Sequence, residues 1–430
     1  MSLINTSSTE DDTFRLKNFA ERHESKVRSY SRDFPVVFNR ASGSLLYSDT
    51  NKPYLDFFSG AGALNYGHNN PVLKESLVSY ITNDGISHGL DLFTSAKERF
   101  IRNFVQYILS PRNFDYKLQF CGPTGTNAVE AAVKIARKFT GRRNVISFTN
   151  AFHGMSLGAL SLTANPKKRK GAGVSLHDTI FMPYDGYLGD GIDTSSILKA
   201  MLQDGSGLDK PAAIIVETIQ GEGGVNTASK NWLRNIYRVA KELDILFIVD
   251  DIQAGCGRSG KFFSFEEYQI IPDIVVLSKS LSGYGLPMSL LLLSPDVDIW
   301  EPGEHNGTFR GNNHAFITAG TAISHFWSTK EFSDELEIKS NFFERSLNDL
   351  KQKHPHIGIR GRGFLRGISF ENDKTATEVS SEAFKLGLIV ETSGVRGHIL
   401  KLLPALTASH QQLQDGINII SDAIHRIRGE

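Results

Sequence analysis

Leu246-Phe-Ile-Val-Asp250 and Asp273-Ile-Val-Val-Leu-Ser-Lys279 each carry four consecutive apolar residues and end on a charged one. A strand that is apolar on both faces must be covered on both faces, the condition of a parallel sheet held between helices. Working outward, comparable short runs occur at Lys117–Cys121, Val145–Phe148, Thr179–Met182, Ala212–Glu217 and Ser289–Leu293. Between them lie stretches with helical spacing. Ala128, Ala132, Ile135 and Phe139 recur along a helix predicted over Asn127–Phe139, and a second helix is predicted over Trp232–Leu243. This alternation, from about Leu118 to Leu293, reads as βαβ units around a seven-stranded, largely parallel sheet, an α/β architecture.

The flanks read differently. After about residue 328 comes a long charged helix, Glu331–Lys351, then strand-like runs at Phe364–Phe370, Gly387–Thr392 and Ile399–Leu403, then a final helix, together a separate α+β unit. Residues 1–24 are polar with little periodicity and predict a flexible tail or a weakly docked arm, with folded sequence starting near Val27. A length of 430 residues suits two or three units at ~150 residues per domain.

In an open parallel sheet, ligands gather at the carboxyl ends of the strands, where Asp250 and Lys279 both fall. Taken singly, they read as a helix cap and a surface lysine. Together they match the needs of pyridoxal phosphate (PLP): a lysine amine for a Schiff base with an aldehyde, and an aspartate to keep a pyridine nitrogen protonated. A phosphate also needs backbone N–H groups at a helix start, and Cys121-Gly-Pro-Thr-Gly125-Thr126 lies between a strand and a helix, as an ordinary βα turn would too. Phe152-His153-Gly154 follows the next strand, where an aromatic plane has room to stack on a cofactor ring.

Two other motifs fail on context. Gly255-Cys-Gly257-Arg-Ser-Gly260 matches a dinucleotide fingerprint but no long helix follows, and as a P-loop it has Phe262 where a magnesium-binding hydroxyl belongs. With 47 basic against 47 acidic residues the formal charge is zero, so nothing marks a nucleic-acid partner, and small neutral or zwitterionic substrates fit better. Only Cys121 and Cys256 are present, which excludes a disulfide framework and suits a reducing cytoplasm. The early Glu10, Asp11 and Asp12 and the lack of an apolar core argue against a secretory signal. The run Met288–Leu293 is far short of the ~20 residues that cross a bilayer, so no membrane partner is expected. The basic run Lys167–Lys170 reads as a solvated loop.

Gly122-Pro-Thr-Gly-Thr-Asn-Ala-Val-Glu130, Phe152-His-Gly154, Glu217-Thr-Ile-Gln-Gly-Glu-Gly-Gly224, Val249-Asp-Asp-Ile-Gln-Ala-Gly-Cys-Gly-Arg258 and Leu277-Ser-Lys-Ser280 resemble the class III aminotransferases of PLP fold type I, in order and spacing from about residue 27 onward. Asn65-Tyr-Gly-His68, Gly85-Ile-Ser-His-Gly-Leu-Asp91, Lys279-Ser-Leu-Ser-Gly-Tyr-Gly-Leu-Pro287 and Gly303-Glu-His-Asn-Gly-Thr-Phe-Arg-Gly-Asn-Asn-His314 are similar to the branch of that family that transfers an amino group between diaminobutyrate and 2-oxoglutarate for ectoine. The resemblance implies a large PLP-binding domain over 76–327. It also implies a smaller domain built from 27–75 and 328–430, and an extension over 1–26.

By the same resemblance Lys279 carries the cofactor, Asp250 pairs with the pyridine nitrogen and Gln253 with the ring hydroxyl. Gly125 and Thr126 take the phosphate, Thr308 reaches the phosphate of a partner subunit's cofactor, and a homodimer with shared active sites is implied. Phe152 stacks on the ring with His153 beside it, and Glu217 lies near the cofactor or serves as a buried ion-pair partner. In ornithine- and aminobutyrate-type relatives an arginine near the C-terminus grips a substrate carboxylate and pairs with a mobile glutamate. Here Glu222 matches the glutamate and Lys401 stands at the arginine position. Lysine lacks the bidentate fork, so a looser or differently aimed grip is expected. Tyr30 and Arg32, in Val27-Arg-Ser-Tyr-Ser-Arg32, resemble the lining of the substrate entrance. The expected reaction passes an amino group from L-glutamate to L-aspartate 4-semialdehyde by a ping-pong route.

Overall fold

A computed structural model describes residues 10–429, with side chains from Lys17 onward. The central sheet has the seven strands read from the sequence, here β1 Lys117–Phe120, β2 Val145–Phe148, β3 Thr179–Met182, β4 Ala213–Val216, β5 Leu246–Asp250, β6 Ile274–Leu277 and β7 Leu290–Leu293. Their order is β1-β7-β6-β5-β4-β2-β3. Neighbours from β3 to β6 are parallel, while β7 is antiparallel to both β6 and β1. The exception follows from chain length: the connection from Leu277 back to Leu290, its register partner, contains only a short 3-10 turn, too little for a crossover helix. Strands β4 to β7 are buried along their whole length, which is why they read as unbroken apolar runs.

Helix α1, Gly125–Thr140, covers one face with Ala128, Ala131, Ala132, Ile135 and Ala136. It starts two residues earlier than its apolar spacing suggests, because Thr124 and Asn127 form the cap. Gly141, at φ +68°, ends it in the left-handed conformation that glycine adopts without strain. The other long helices are α2, Lys230–Glu242, which packs on the central sheet, α3, Asn313–Phe326, and α4, Glu331–Lys353, and α5, His410–Arg428, which pack on each other.

Outside the central sheet the chain departs from expectation in several places. Residues Gly387–Thr392 do not form one strand. Leu388–Ile389 joins Pro53–Asp56 in a sheet with Phe38–Ser42 and Leu45–Ser48, and Glu391–Ser393 joins Ile399–Leu402 in a second sheet. A short apolar run shows burial but not partners, so the switch at buried Val390 was invisible. Helix Thr375–Lys385 was missed because its buried face consists of Ala376, Val379, Ser380, Ala383 and Phe384, too mixed to stand out. Strand Gly358–Arg362 was missed because it is half-buried and rich in glycine and arginine. Residues Glu10–His23 form a helix where a tail or weak arm was expected, tied down by Arg28, which bonds Ala20 O at 3.0 Å and pairs with Glu21. Residues 1–9 of that segment lie outside the described residues.

Arg258 joins the segment after β5 to both chain ends. It has no exposed surface, donates to Asn65 Oδ1 at 2.6 Å and to the carbonyls of Pro404 and Phe364, and burial brings its pKa down to about 9. Replacing it by Met should strand at least two buried acceptors, at about 1–3 kcal/mol each, and lower the unfolding free energy by roughly 2–6 kcal/mol. Urea denaturation of the two proteins measures this, and a difference below about 1 kcal/mol would mean that Arg258 does not hold these segments together.

Candidate active site

Asp250 and Lys279 meet at the carboxyl edge of the sheet, at the ends of adjacent parallel strands β5 and β6. Both line a cavity of about 320 Å³, within the range of small-molecule sites. Lys279 itself adopts φ +48°, a left-handed conformation that costs a β-carbon-bearing residue energy and is sustained by its surroundings. Next to it Ser280 donates to Gly62 O at 2.6 Å and Ser278 to Met288 O at 2.8 Å, fixing the turn from both sides. Burial lowers the Lys279 pKa below that of an ordinary lysine, with Lys401 adding to the drop and Glu222 opposing it.

Asp250 is buried, its Oδ2 lies 2.7 Å from His153 Nδ1, and its Oδ1 accepts from Ile252 N at 3.2 Å. Glu217 lines the same cavity. Burial, then repulsion from Asp250, drives the Glu217 carboxyl far above the usual range, while its Oε2 accepts from Phe152 N at 3.0 Å. Glu217 thus lines the cavity with its carboxyl bonded to the backbone at Phe152 and its charged form disfavoured by burial.

Gly125 and Thr126 begin α1 and line the cavity; first-turn N–H groups have no acceptor inside their own helix. A β-carbon at Gly125 would stand 2.8 Å from Ile252 Cδ1, so glycine lets the helix start approach the segment after β5. Thr126 Oγ1 lies 2.6 Å from Ser156 Oγ, which donates to Glu130 Oε1 at 2.6 Å. Gln253 reaches in from the opposite side: its Nε2 donates to Ala61 O at 3.0 Å and to Glu222 Oε1 at 3.3 Å. The Ala61 carbonyl belongs to a turn in which Ser59, Gly60 and Ala61 all have positive φ, a strained segment the sequence reading did not single out.

Lys401 is neither exposed nor snorkelling. It is fully buried, 2.5 Å from Glu222 Oε1 and 3.0 Å from Glu391 Oε1, its cross-strand partner. Burial opposes its charge, yet the two carboxylates raise its pKa well above that of an ordinary lysine. Burial alone would raise Glu222, but Lys401 and then Lys279 bring its pKa to about 2. Glu391, which the sequence reading missed, is pushed up by burial against the pull of Lys401. Tyr30 stands by this cluster, its ring centroid 4.8 Å from that of Phe58 and its hydroxyl pKa raised by burial, Glu391 and Glu222. Arg32 does not join them: its exposed side chain donates to Lys26 O and Arg28 O. Thr308 lies exposed in the loop before α3 and does not line the cavity. Cys121 and Cys256 are both buried, and burial pushes the Cys121 thiol up to about 12.

The basic run Lys167–Lys170 is not a plain solvated loop. Arg169 is half-buried and donates to the carbonyls of Leu160, Ser161 and Thr163, closing helix Leu157–Leu162, and Lys168 Nζ lies 4.4 Å from the ring centroid of cavity-lining Phe152. No spacing rule would find this, since the run reaches Phe152 only through tertiary packing.

The cavity suits a planar, phosphorylated pyridine. Two buried polar atoms of its lining, His153 Nε2 and Gln253 Oε1, have no hydrogen-bond partner. Residues 27–424 match the family model described as aminotransferase class-III. The chain is a class III aminotransferase. It is 54% identical over 413 residues to a diaminobutyrate–2-oxoglutarate transaminase of Bordetella parapertussis, covering 95% of each protein. It is 52% identical over 403 residues to one of Vibrio cholerae, covering 93% of this chain and 98% of that protein. Among solved structures it superposes on an ornithine aminotransferase from Toxoplasma gondii, described as carrying PLP at partial occupancy, with TM-score 0.83 and 25% identity over 98% and 96% of the two chains. An S-selective transaminase from Arthrobacter shares the fold at TM-score 0.88 and 20% identity, over 97% and 98% of the two chains.

The Glu222–Lys401 pair has a signature in acid. Because the folded pKa of Glu222, about 2, lies below its ordinary 4.5, its contribution to stability is complete above about pH 5 and is lost as the pH falls toward 2. The difference in unfolding free energy between the native protein and Glu222→Gln should be flat from pH 7 to about 5 and shrink below that. A difference that stayed constant down to about pH 3 would mean that Glu222 is not held ionised by Lys401.

Proposed function

We propose that this enzyme passes an amino group from L-glutamate to L-aspartate 4-semialdehyde, reversibly and by a ping-pong route, giving 2-oxoglutarate and L-2,4-diaminobutyrate with pyridoxal 5′-phosphate as cofactor. The observation that carries the substrate reading is the wall facing Lys279, where two carboxylates, Glu222 and Glu391, share the single ammonium of Lys401. An acid-rich wall attracts the second ammonium of a diamine, and if Glu222 swings aside Lys401 becomes free for a carboxylate of glutamate. Relatives at 52–54% identity over nearly the whole chain are named for the same pair of substrates.

When bound, PLP supplies an aldehyde that takes up amino groups and a protonated ring that withdraws electrons from the substrate carbon. Asp250, oriented by His153, would hold the proton on the ring nitrogen. Gln253 Oε1 would meet the ring hydroxyl, Phe152 the ring face, and Gly125 and Thr126 the phosphate. Lys279 would hold the cofactor through its amine and, when that amine is free, would act as the acid–base group that moves the proton at the substrate carbon. Its depressed pKa favours the neutral Nζ that such a base requires. Glu217, bonded to Phe152 N and with its charged form disfavoured by burial and by Asp250, would keep the ring-facing segment in place.

The reading extends to assembly. Leu92, Phe93 and Phe309 are exposed, and His88 and Phe309 are in ring contact at 5.3 Å, so two segments that resemble the family form one apolar surface beside Thr308. A second copy docked there would bring Thr308 to its cofactor phosphate, and we read the active unit as a cytoplasmic homodimer. The terminal segments 27–75 and 328–430 form its small domain and 76–327 its large one. Among the described residues no helix is long and apolar enough to cross a membrane.

Rates of the purified enzyme with 2-oxoglutarate and diaminobutyrate, ornithine or 4-aminobutyrate test the substrate. The kcat/KM for diaminobutyrate should lead by about tenfold or more, ~1.4 kcal/mol of transition-state discrimination. A lead by ornithine or 4-aminobutyrate would overturn the assignment. Lys279→Ala should lose turnover and the visible absorption of the cofactor, and Asp250→Asn should cut kcat by about a hundredfold or more.

A further inference from the structure

The reaction proposed above has to hold an amino acid by its far end while the distal amine reacts. That end is a zwitterion, an ammonium beside a carboxylate, and the acid-rich wall around Glu222 accounts only for the ammonium. The carboxylate needs a cation, and most candidates are committed. Lys401 is divided between two carboxylates, Arg258 is buried against backbone carbonyls, Arg32 is tied to its own segment, and Lys279 is the reacting amine.

Lys168 remains. Its Nζ lies over the Phe152 ring at 4.4 Å, its side chain is half-buried, and among the described residues no carboxylate forms an ion pair with it. Its position is built rather than accidental. Asn165 Oδ1 accepts from Lys168 N at 3.2 Å, and the three carbonyl contacts of Arg169 anchor the turn to helix Leu157–Leu162. Its charge is also felt at cavity-lining Glu222, where it adds to the larger effects of Lys401 and Lys279. Met155, which lines the same cavity and is exposed, has no charge to bind a carboxylate.

We propose that Lys168 receives the α-carboxylate of the diamino acid substrate, with Glu222 on the opposite side receiving its α-ammonium, so that the two together select a zwitterionic head group. The inference rests on the substrate class argued above. A cation stacked on an aromatic face keeps its N–H groups for a ligand, because the ring interaction is electrostatic and uses none of them. Lysine presents a point charge without geometric preference, which suits a carboxylate carried on a flexible chain.

The test compares L-2,4-diaminobutyrate with 1,3-diaminopropane, the same diamine without its carboxylate, in the holoenzyme and its Lys168→Met and Lys168→Arg variants. Lys168→Met should raise KM for diaminobutyrate about tenfold or more with kcat within about twofold, and Lys168→Arg should restore it to within about threefold. For 1,3-diaminopropane, as substrate or as competitor, the native enzyme and Lys168→Met should agree within about twofold. An unmoved KM for diaminobutyrate, an equal loss on both diamines, or weaker cofactor binding in Lys168→Met would each overturn the assignment. If the native enzyme does not accept diaminobutyrate, the substrate reading fails by itself. Ornithine against 1,4-diaminobutane then decides Lys168 by the same criteria.

Discussion

The hydrogen bond between His153 and Asp250 is the constraint around which this site is arranged. It joins a carboxylate at the end of β5 to a loop leaving β2, inside a sheet whose central strands are buried. A carboxylate in such a place is costly unless it is bonded, and a second charge beside it would cost more. The neighbouring acids answer that constraint. Glu217 is driven far up by burial and by Asp250, and Asp251, buried with its Oδ2 accepting from Ser264 N at 3.0 Å, is pushed up to about 7. Three carboxyls thus sit close together, and burial pushes two of them, Glu217 and Asp251, toward the protonated form.

Backbone strain marks the other side of the same cavity. Lys279 at φ +48°, and Ser59 and Ala61 at +47° and +58°, are conformations that residues with a β-carbon avoid. They are linked: Ser280, next to Lys279, donates to Gly62 O, and Gln253 donates to Ala61 O. Two strained turns therefore brace each other through side-chain bonds to backbone carbonyls. Gly221 permits the crowding, since a β-carbon there would overlap Gln253 Oε1 at 1.6 Å.

What was legible in the sequence was whatever is local. Each strand of the central sheet is its own apolar run, and Asp250 and Lys279 announce themselves by following such runs directly, so the sheet and this pair at its edge came from short windows. The family resemblance then placed Gly125, Phe152, His153, Gln253 and Glu222, all of which line the cavity. The residues that were missed arrive by pairing. Glu391 meets Lys401 only because two strands align in register, Lys168 meets Phe152 only through packing of a loop, and the split of Gly387–Thr392 depends on which sheet each half joins. Arg32 failed for the converse reason: its neighbours' carbonyls lie nearer than the cavity, and a guanidinium with five donors binds them first.

The substitution of a lysine for the arginine seen in related transaminases becomes intelligible from its partners. A guanidinium binds a carboxylate through a planar fork, and turning from one partner to another requires the whole plane to turn. The ammonium of Lys401 has three donors spread around a single atom, and it already contacts Glu222 and Glu391 at 2.5 and 3.0 Å from different directions. Were Glu222 to turn away, the ammonium would keep its second partner, Glu391, buried on the adjacent strand, and would not have to reorient to meet whatever replaced Glu222.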